Sequence, residues 1–225
     1  MIAADSFKGS ASSSEVADYL ERGLQAAGSL SEITKVPLAD GGEGTVTAII
    51  KAASGRLMSS KVSGPAGGHV EAQWGLLPDH TAVIEMAAAA GFTQDRDQSV
   101  AVKSTFGVGE LIKQALDYHA TTIYIGLGGS STNDGGVGMA QALGGRFYDQ
   151  NGSEVPRGIA GLRDLVGVNL EGLDSRLQNV QVIGLADVDN PLTGKMGPPK
   201  SLDHRKVFVP IKWLNSISGL TVCHN

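Results

Sequence analysis

Clusters of glycine placed directly behind apolar runs constrain this fold more than any other feature of the sequence. The stretch IGLGGSSTNDGG, residues 125–136, follows a β-branched and aromatic run that is typical of a buried strand. The chain has 31 glycines in 225 residues, about twice the usual share of roughly 7%. Because glycine tolerates positive φ and lets another backbone or a ligand approach closely, we interpret these clusters as specialised loops.

Three other strand-like segments end in the same style. Asp5 opens DSFKGS after the first apolar run, ADGGEGT follows EITKVPL, and Asp187 ends QVIGLAD. Helical spacing lies between them, for example over residues 15–27, where Ser13 is the expected N-cap and Gly28 the expected stop. Strand, loop and helix in alternation predict an α/β fold with a mostly parallel sheet and flanking helices. Ligands of such sheets bind beyond the carboxyl ends of the strands, so the sequence predicts one shared site there.

Residues 55–92 have a different sequence pattern. GRLMSSKVSGP, GGHVEAQWGLL and TAVIEMA are strand-like, are separated by glycine turns and have no helix between them. We therefore expect a smaller β-rich element attached to an α/β core over residues 1–54 and 93–197, a core that two subdomains could share.

Composition and charge exclude several function classes. The net charge of −5 comes without clustered Lys and Arg, so a nucleic-acid partner is not expected. No apolar run reaches the roughly 20 residues that span a bilayer, so no membrane contact is expected either. The single Cys223 excludes an internal disulfide framework and predicts a cytoplasmic location. His69, His80 and His119 have no metal-ligand spacing and are expected at the surface.

The 125–136 loop has the composition of a phosphate site. Its glycines, its three hydroxyl residues and the helix start behind it all offer donors to an anion, although a tight turn with an ordinary cap is the alternative. It is neither a Walker A loop nor a GxGxxG fingerprint. Asp134 leaves two interpretations open: it binds a metal or takes a proton during phosphoryl transfer, or it only caps the helix.

Three further residues are site candidates, each with a simpler alternative. Lys8 could hold a phosphate or carboxylate as a point charge, or it could be an ordinary surface lysine. Asp40 and Asp187 lie in loops that could equally be plain turns.

Six motifs in order give these candidates a family context. DSFKGS, PLADGGEGT, AVIEMA, STFGVGELI, IGLGGSSTNDGGVGMAQALGG and DVDNPLTG together resemble the bacterial-type glycerate kinases of the glycerate 2-kinase family. The resemblance implies transfer of the ATP γ-phosphate to D-glycerate, with 2-phosphoglycerate as the expected product, Mg²⁺ as cofactor and a two-domain α/β fold. It implies catalytic candidates Lys8, Asp40, Asp134 and Asp187, and phosphate-binding candidates Gly128, Gly129, Ser130, Ser131, Thr132 and Asn133. The individual roles, the oligomeric state and the choice between the 2- and 3-hydroxyl stay open.

The last 28 residues, 198–225, differ from the rest. They contain one glycine and a net charge of +3, whereas the whole chain carries −5. When the tail is written in permitted codons, one added G turns GPPKSLDHRKV into GASKVFGPQKG, which resembles the family's continuation. We therefore hypothesise a frameshifted, non-family tail; an uninterrupted reading frame at the genomic locus, with no displaced family motif downstream, would disprove it.

The family's chains are considerably longer than this one, so the resemblance implies a truncated α/β domain that is incomplete relative to the family. Such a domain would leave sheet edges and apolar faces open, and the isolated chain is therefore expected to be poorly stable, with little or no kinase activity. Two functions therefore stand at this point. One is glycerate phosphorylation, and the other is a non-catalytic remnant that at most binds phosphate or nucleotide. A small-molecule kinase with another substrate is a weaker third.

Overall fold

The computed structural model describes residues 1–5, 7, 10–28, 31–38, 41–95, 97–186 and the backbone of 221–224. The helices of this part are α1 (Ser13–Ala26), α2 (Thr45–Ala53), α3 (Met86–Ala90), α4 (Phe106–Asp117), α5 (Val137–Ala142) and α6 (Ile159–Leu162). The strands are β1 (Ile2–Ala4), β2 (Lys35–Pro37), β3 (Arg56–Ser63), β4 (His69–Leu76), β5 (Thr81–Glu85), β6 (Thr122–Gly126), β7 (Arg146–Tyr148), β8 (Gly167–Asn169), β9 (Gln181–Ala186) and β10 (Thr221–His224).

A six-stranded mixed sheet forms the centre, with strand order β10-β9-β6-β5-β4-β3. The pairs from β10 to β5 are parallel, and β4 and β3 continue the sheet antiparallel. The α/β class with flanking helices is therefore confirmed, and the sheet is parallel only in its β5–β10 half.

Strands β5 and β6 lie in the middle because both of their faces are apolar. All five residues of β5 are buried, and its centre is the apolar run Ala82–Ile84, as expected of a strand covered on both faces. Neighbouring residues of β4 show that helices cover both faces. Trp74, which is fully buried, contacts Tyr118 at the end of α4, whereas Gly75 lies against Ile50 of α2.

The β-rich segment joins the same sheet. β3 and β4 form a regular antiparallel hairpin from Arg56↔Leu76 to Ser63↔His69, and β4 pairs with β5. The predicted strands and their glycine turns are thus present, and hydrogen bonds connect them to the parallel half without a break. The domain boundaries at residues 55, 93 and 198 stay predictions.

A small parallel sheet of β1 and β2 packs with α1. The expected N-cap at Ser13 is wrong: Ser12 caps α1, in a capping box with Glu15. The hydroxyl of Ser13 instead donates to the carbonyl of Ala4 at 2.6 Å and accepts from the amide of Leu38 at 3.2 Å. One side chain thereby ties the ends of β1 and β2 together. Gly28 follows the helix with φ +83°, as expected of a stop.

His69, His80 and His119 are exposed, as predicted. Among the described residues, none of the helices has both the length and the hydropathy needed to cross a bilayer.

Candidate active site

The carboxyl ends of three parallel strands meet at one edge of the sheet. Glu85 at the end of β5 is in register with Gly126 of β6, and Gly126 is in register with Leu185 of β9. The loop of residues 41–44 lies across this edge, where the amide of Gly128 donates to the carbonyl of Gly41 at 3.1 Å. The glycine loops after β2 and β6 and the end of β9 are therefore in direct contact.

Two glycines make this contact possible. A Cβ on Gly126 would lie 2.3 Å from the carbonyl oxygen of Gly41, so no side chain fits there without moving the loop. Gly41 has φ +85°, and a Cβ on it would lie 2.9 Å from the carbonyl oxygen of Leu185. Part of the glycine excess thus serves the close approach of one loop to another.

Asp134 is buried, with 1% of its surface exposed, and both of its carboxylate oxygens accept hydrogen bonds. Oδ2 accepts from the hydroxyl of Ser104 at 3.0 Å and from the amide and hydroxyl of Thr105 at 2.8 and 3.0 Å. It also accepts from the amide of Gly138 at 3.1 Å. Oδ1 accepts from the hydroxyl of Thr105 at 3.1 Å and from the amide of Gly136 at 3.2 Å.

These contacts favour the capping interpretation of Asp134. The carboxylate fixes the start of α5 through two amides and also holds Thr105, the N-cap of α4. Two of the amides that could have held an anion at the start of α5 are therefore bound to the chain's own carboxylate. A metal ion or a proton acceptor role would require Asp134 to give up several of these bonds.

The phosphate-site candidates divide into a buried and an accessible part. Ser131 is fully buried, and its hydroxyl donates to the carbonyls of Ala90 and Gly91 at 3.1 and 3.2 Å. Gly128, Gly129 and Ser130 are half-buried, and in the described part of the chain the amides of Gly129 and Ser130 donate to no other residue.

The hydroxyls of Ser130 and Thr132 lie 2.8 Å apart, and Asn133, like Thr132, is buried. Residues 128–130 are therefore the part of the loop that a ligand can reach.

Glu85 is a residue of this edge that the sequence analysis did not single out. It is 9% exposed, and its Oε1 accepts from the amides of Gly44 at 3.0 Å and Val46 at 2.7 Å. The available signal was the carboxylate that ends the apolar run TAVIE. Ser104 and Thr105 open the motif STFGVGELI, but nothing local in the sequence marks them as partners of Asp134.

Lys8, Asp40 and Asp187 lie outside the described residues. The residues next to two of them are described: Gly41 follows Asp40, and Ala186 precedes Asp187 at the end of β9. No group of three or more His, Cys, Asp or Glu that could hold a metal occurs among the residues that the structure describes.

A cavity of about 320 Å³ lies beside α5. Phe106 and Arg157 line it, with the guanidinium 3.2 Å from the ring centroid, and so does the Arg146–Glu154 ion pair at 2.9 Å. Its lining includes no residue of the 41–44 or 126–134 loops, so we do not place a substrate there.

Comparison with known proteins shows to which family the chain belongs. A family model described as the glycerate kinase family matches residues 1–204. The chain belongs to the glycerate kinase family. It is 48% identical over 200 residues to a glycerate kinase of Bacillus subtilis (strain 168), covering 88% of this chain and 52% of that one. It is 45% identical over 211 residues to a glycerate 2-kinase of Escherichia coli (strain K12), covering 92% and 55%.

A solved structure agrees. The chain aligns with a crystal structure described as a glycerate kinase 2 from Salmonella typhimurium LT2 with a TM-score of 0.73 and 40% identity, covering 96% of this chain and 60% of the other. The chain therefore spans about half the length of the curated glycerate kinases that it matches.

Proposed function

We propose that this protein phosphorylates D-glycerate with ATP, giving 2-phosphoglycerate. The observation that carries the proposal is the contact between the 41–44 loop, the 126–129 loop and the end of β9 at the carboxyl edge of the sheet, in a chain of the glycerate kinase family. Kinases act mainly by positioning and by electrostatic stabilisation of the transferred phosphoryl group. An edge with accessible amides suits that task.

Within this proposal the amides of Gly129 and Ser130 and the Ser130 hydroxyl bind phosphate oxygens. Lys8 remains the candidate for neutralising phosphate charge. Asp40 and Asp187 remain the candidates for orienting the attacking hydroxyl. Support for the two aspartates is their sequence neighbours, which lie at this edge. Asp134 and Ser131 hold the loop in shape and do not touch the substrate.

Magnesium bridges phosphate oxygens in this class of reaction. The described carboxylates Asp134 and Glu85 do not fit as its ligands, because each already accepts hydrogen bonds from the chain. We nevertheless expect the reaction to need the ion. The single cysteine supports a cytoplasmic location for this chemistry.

The test is an ADP-release assay with ATP, Mg²⁺ and D-glycerate, followed by NMR identification of the phosphorylated carbon. Turnover near 1 s⁻¹, the low end of about 1–100 s⁻¹ for kinases, is the result that the proposal predicts, and it would refute the loss of activity expected of a truncated domain. A panel of other hydroxy acids and sugars checks the substrate class. Absence of turnover at every substrate would overturn the proposal.

The length of the chain favours one alternative. Because it covers 52–55% of the glycerate kinases above, the piece could bind phosphate or nucleotide without catalysis. Calorimetric binding of ATP together with no phosphoryl transfer would support that alternative.

A further inference from the structure

Glu85 is a buried carboxylate that acts at a distance in sequence. It ends β5, is 9% exposed, and reaches the amides of Gly44 and Val46, around 40 positions earlier in the chain, through Oε1. Gly44 is the N-cap residue of α2, has φ +98° and offers no side chain to cap the helix. Glu85 therefore supplies the acceptor that the start of α2 lacks.

The opposite end of the same loop is held by backbone. The carbonyl of Gly41 accepts from the amide of Gly128, and Gly126 is in contact with Gly41 because it has no side chain. Gly126 is also the register partner of Glu85 in the sheet. One strand pair thus fixes the 41–44 loop at both ends, through a carboxylate at one end and through backbone at the other.

We propose that Glu85 is a positioning residue that locks the 41–44 loop onto the edge where phosphoryl transfer takes place; this inference rests on the proposed function. The loop directly follows Asp40 and contains Glu43. Glu85 acts through the two amides, without touching the substrate. Loss of its carboxylate frees the α2 end of the loop while the sheet itself stays formed.

The first measurement is amide hydrogen exchange by NMR in Glu85→Ala, Glu85→Gln and the wild-type chain. Exchange at Gly44 and Val46 is expected to be about ten- to a hundredfold faster in Glu85→Ala, because both amides lose a charged acceptor. The exchange rates in Glu85→Gln should lie between those of the wild type and Glu85→Ala, since the single amide oxygen can still accept both hydrogen bonds. Glu71→Gln is the matched control, because Glu71 is an exposed glutamate on β4 of the same sheet.

Unchanged exchange at Gly44 and Val46 in both variants would overturn the proposal. So would equal acceleration at every amide of β6, which would mean that Glu85 only stabilises the whole fold. These outcomes do not depend on turnover. If the wild-type chain shows no phosphoryl transfer, the proposed function fails, and exchange still decides whether Glu85 holds the loop.

The second measurement is steady-state kinetics. Glu85→Ala is expected to lower kcat by about ten- to a hundredfold with a smaller change in KM for D-glycerate, because the loop positions groups that act on the transferred phosphoryl group. Glu85→Gln should recover part of that loss. A raised KM at unchanged kcat would mean that Glu85 contributes to substrate binding, and would contradict the positioning role.

Discussion

Asp134→Asn tests whether this aspartate is an anchor or a catalytic group. The substitution keeps the size of the side chain and replaces one carboxylate oxygen by an NH₂ group. At the Oδ2 position that group would face the donors Thr105 N and Gly138 N, which are 2.8 and 3.1 Å away. At Oδ1 it would face only one backbone donor, Gly136 N at 3.2 Å, and the Thr105 hydroxyl could accept from it. The variant is therefore expected to place its NH₂ group at Oδ1.

The expected loss of stability follows from those contacts. One backbone hydrogen bond to a charged acceptor disappears, at about 1.5–3 kcal/mol, and the remaining bonds weaken because their acceptor is neutral. We expect a total of about 2–4 kcal/mol. For a domain of 150–250 residues, 1 kcal/mol corresponds to about 2–4 °C in Tm, so the Tm should fall by about 4–16 °C.

Thermal and urea unfolding followed by circular dichroism measure this loss. Asp164→Asn is the control, because Asp164 is exposed and accepts no hydrogen bond from another described residue. Its Tm should stay within about 1 °C of the wild type. If Asp134→Asn kept the wild-type Tm and lost only turnover, the anchoring argument would be refuted, and Asp134 would be a base or a metal ligand.

Three further tests follow from burial, close contact and charge. Lys103→Met should raise the Tm, because Lys103 is 3% exposed and forms no ion pair with another described residue. The control Lys61→Met, at the exposed lysine of β3, should leave the Tm unchanged. A lower Tm in Lys103→Met would contradict the argument. Gly126→Ala should destabilise by about 1–3 kcal/mol through its clash with the 41–44 loop. The control is Gly23→Ala, inside α1 with open space around it, which should stabilise by up to about 1 kcal/mol in the same denaturation assay. Equal changes in stability in the two variants would refute the contact between Gly126 and the loop. The hydrogen bond from Arg176 lowers the pKa of Asp174, so their pairing stabilises fully above about pH 4 and is lost as the pH falls through the lowered pKa. When the urea midpoint of unfolding is plotted against pH, Arg176→Ala should show a smaller decrease at acid pH than the wild type. Equal decreases in the two proteins would contradict this.

The strands of the parallel half could be predicted because their signal is local. A strand with both faces covered is mostly apolar, and the central residues of β5 and β6 show this without reference to any partner. The stop of α1 at Gly28 is local in the same way. The N-cap of α1 could not be predicted from a local signal, because the adjacent serines Ser12 and Ser13 satisfy the same preference. Ser12 caps α1 since the hydroxyl of Ser13 is used between β1 and β2.

The roles of the two buried carboxylates could not be predicted. Asp134 follows a glycine cluster, a position that suits both a catalytic acid and a cap. The contacts that favour the cap come from Ser104 and Thr105, which are about thirty positions earlier in the chain. In the sequence Glu85 only marks the end of a strand, and its amide partners likewise lie far away in the chain, at the N-cap and in the first turn of α2.

The contact between Gly41 and the end of β9 has a consequence for synthesis of the chain. Gly41 lies near the start of the sequence, and Leu185, the residue it contacts, lies near the end of the described core. During translation the early strands emerge first, and contacts between such distant residues form slowly. The 41–44 loop therefore cannot reach its final position until β9 has left the ribosome. The candidate site is expected to be among the last parts of this molecule to form, and a nascent chain released before β9 would lack it.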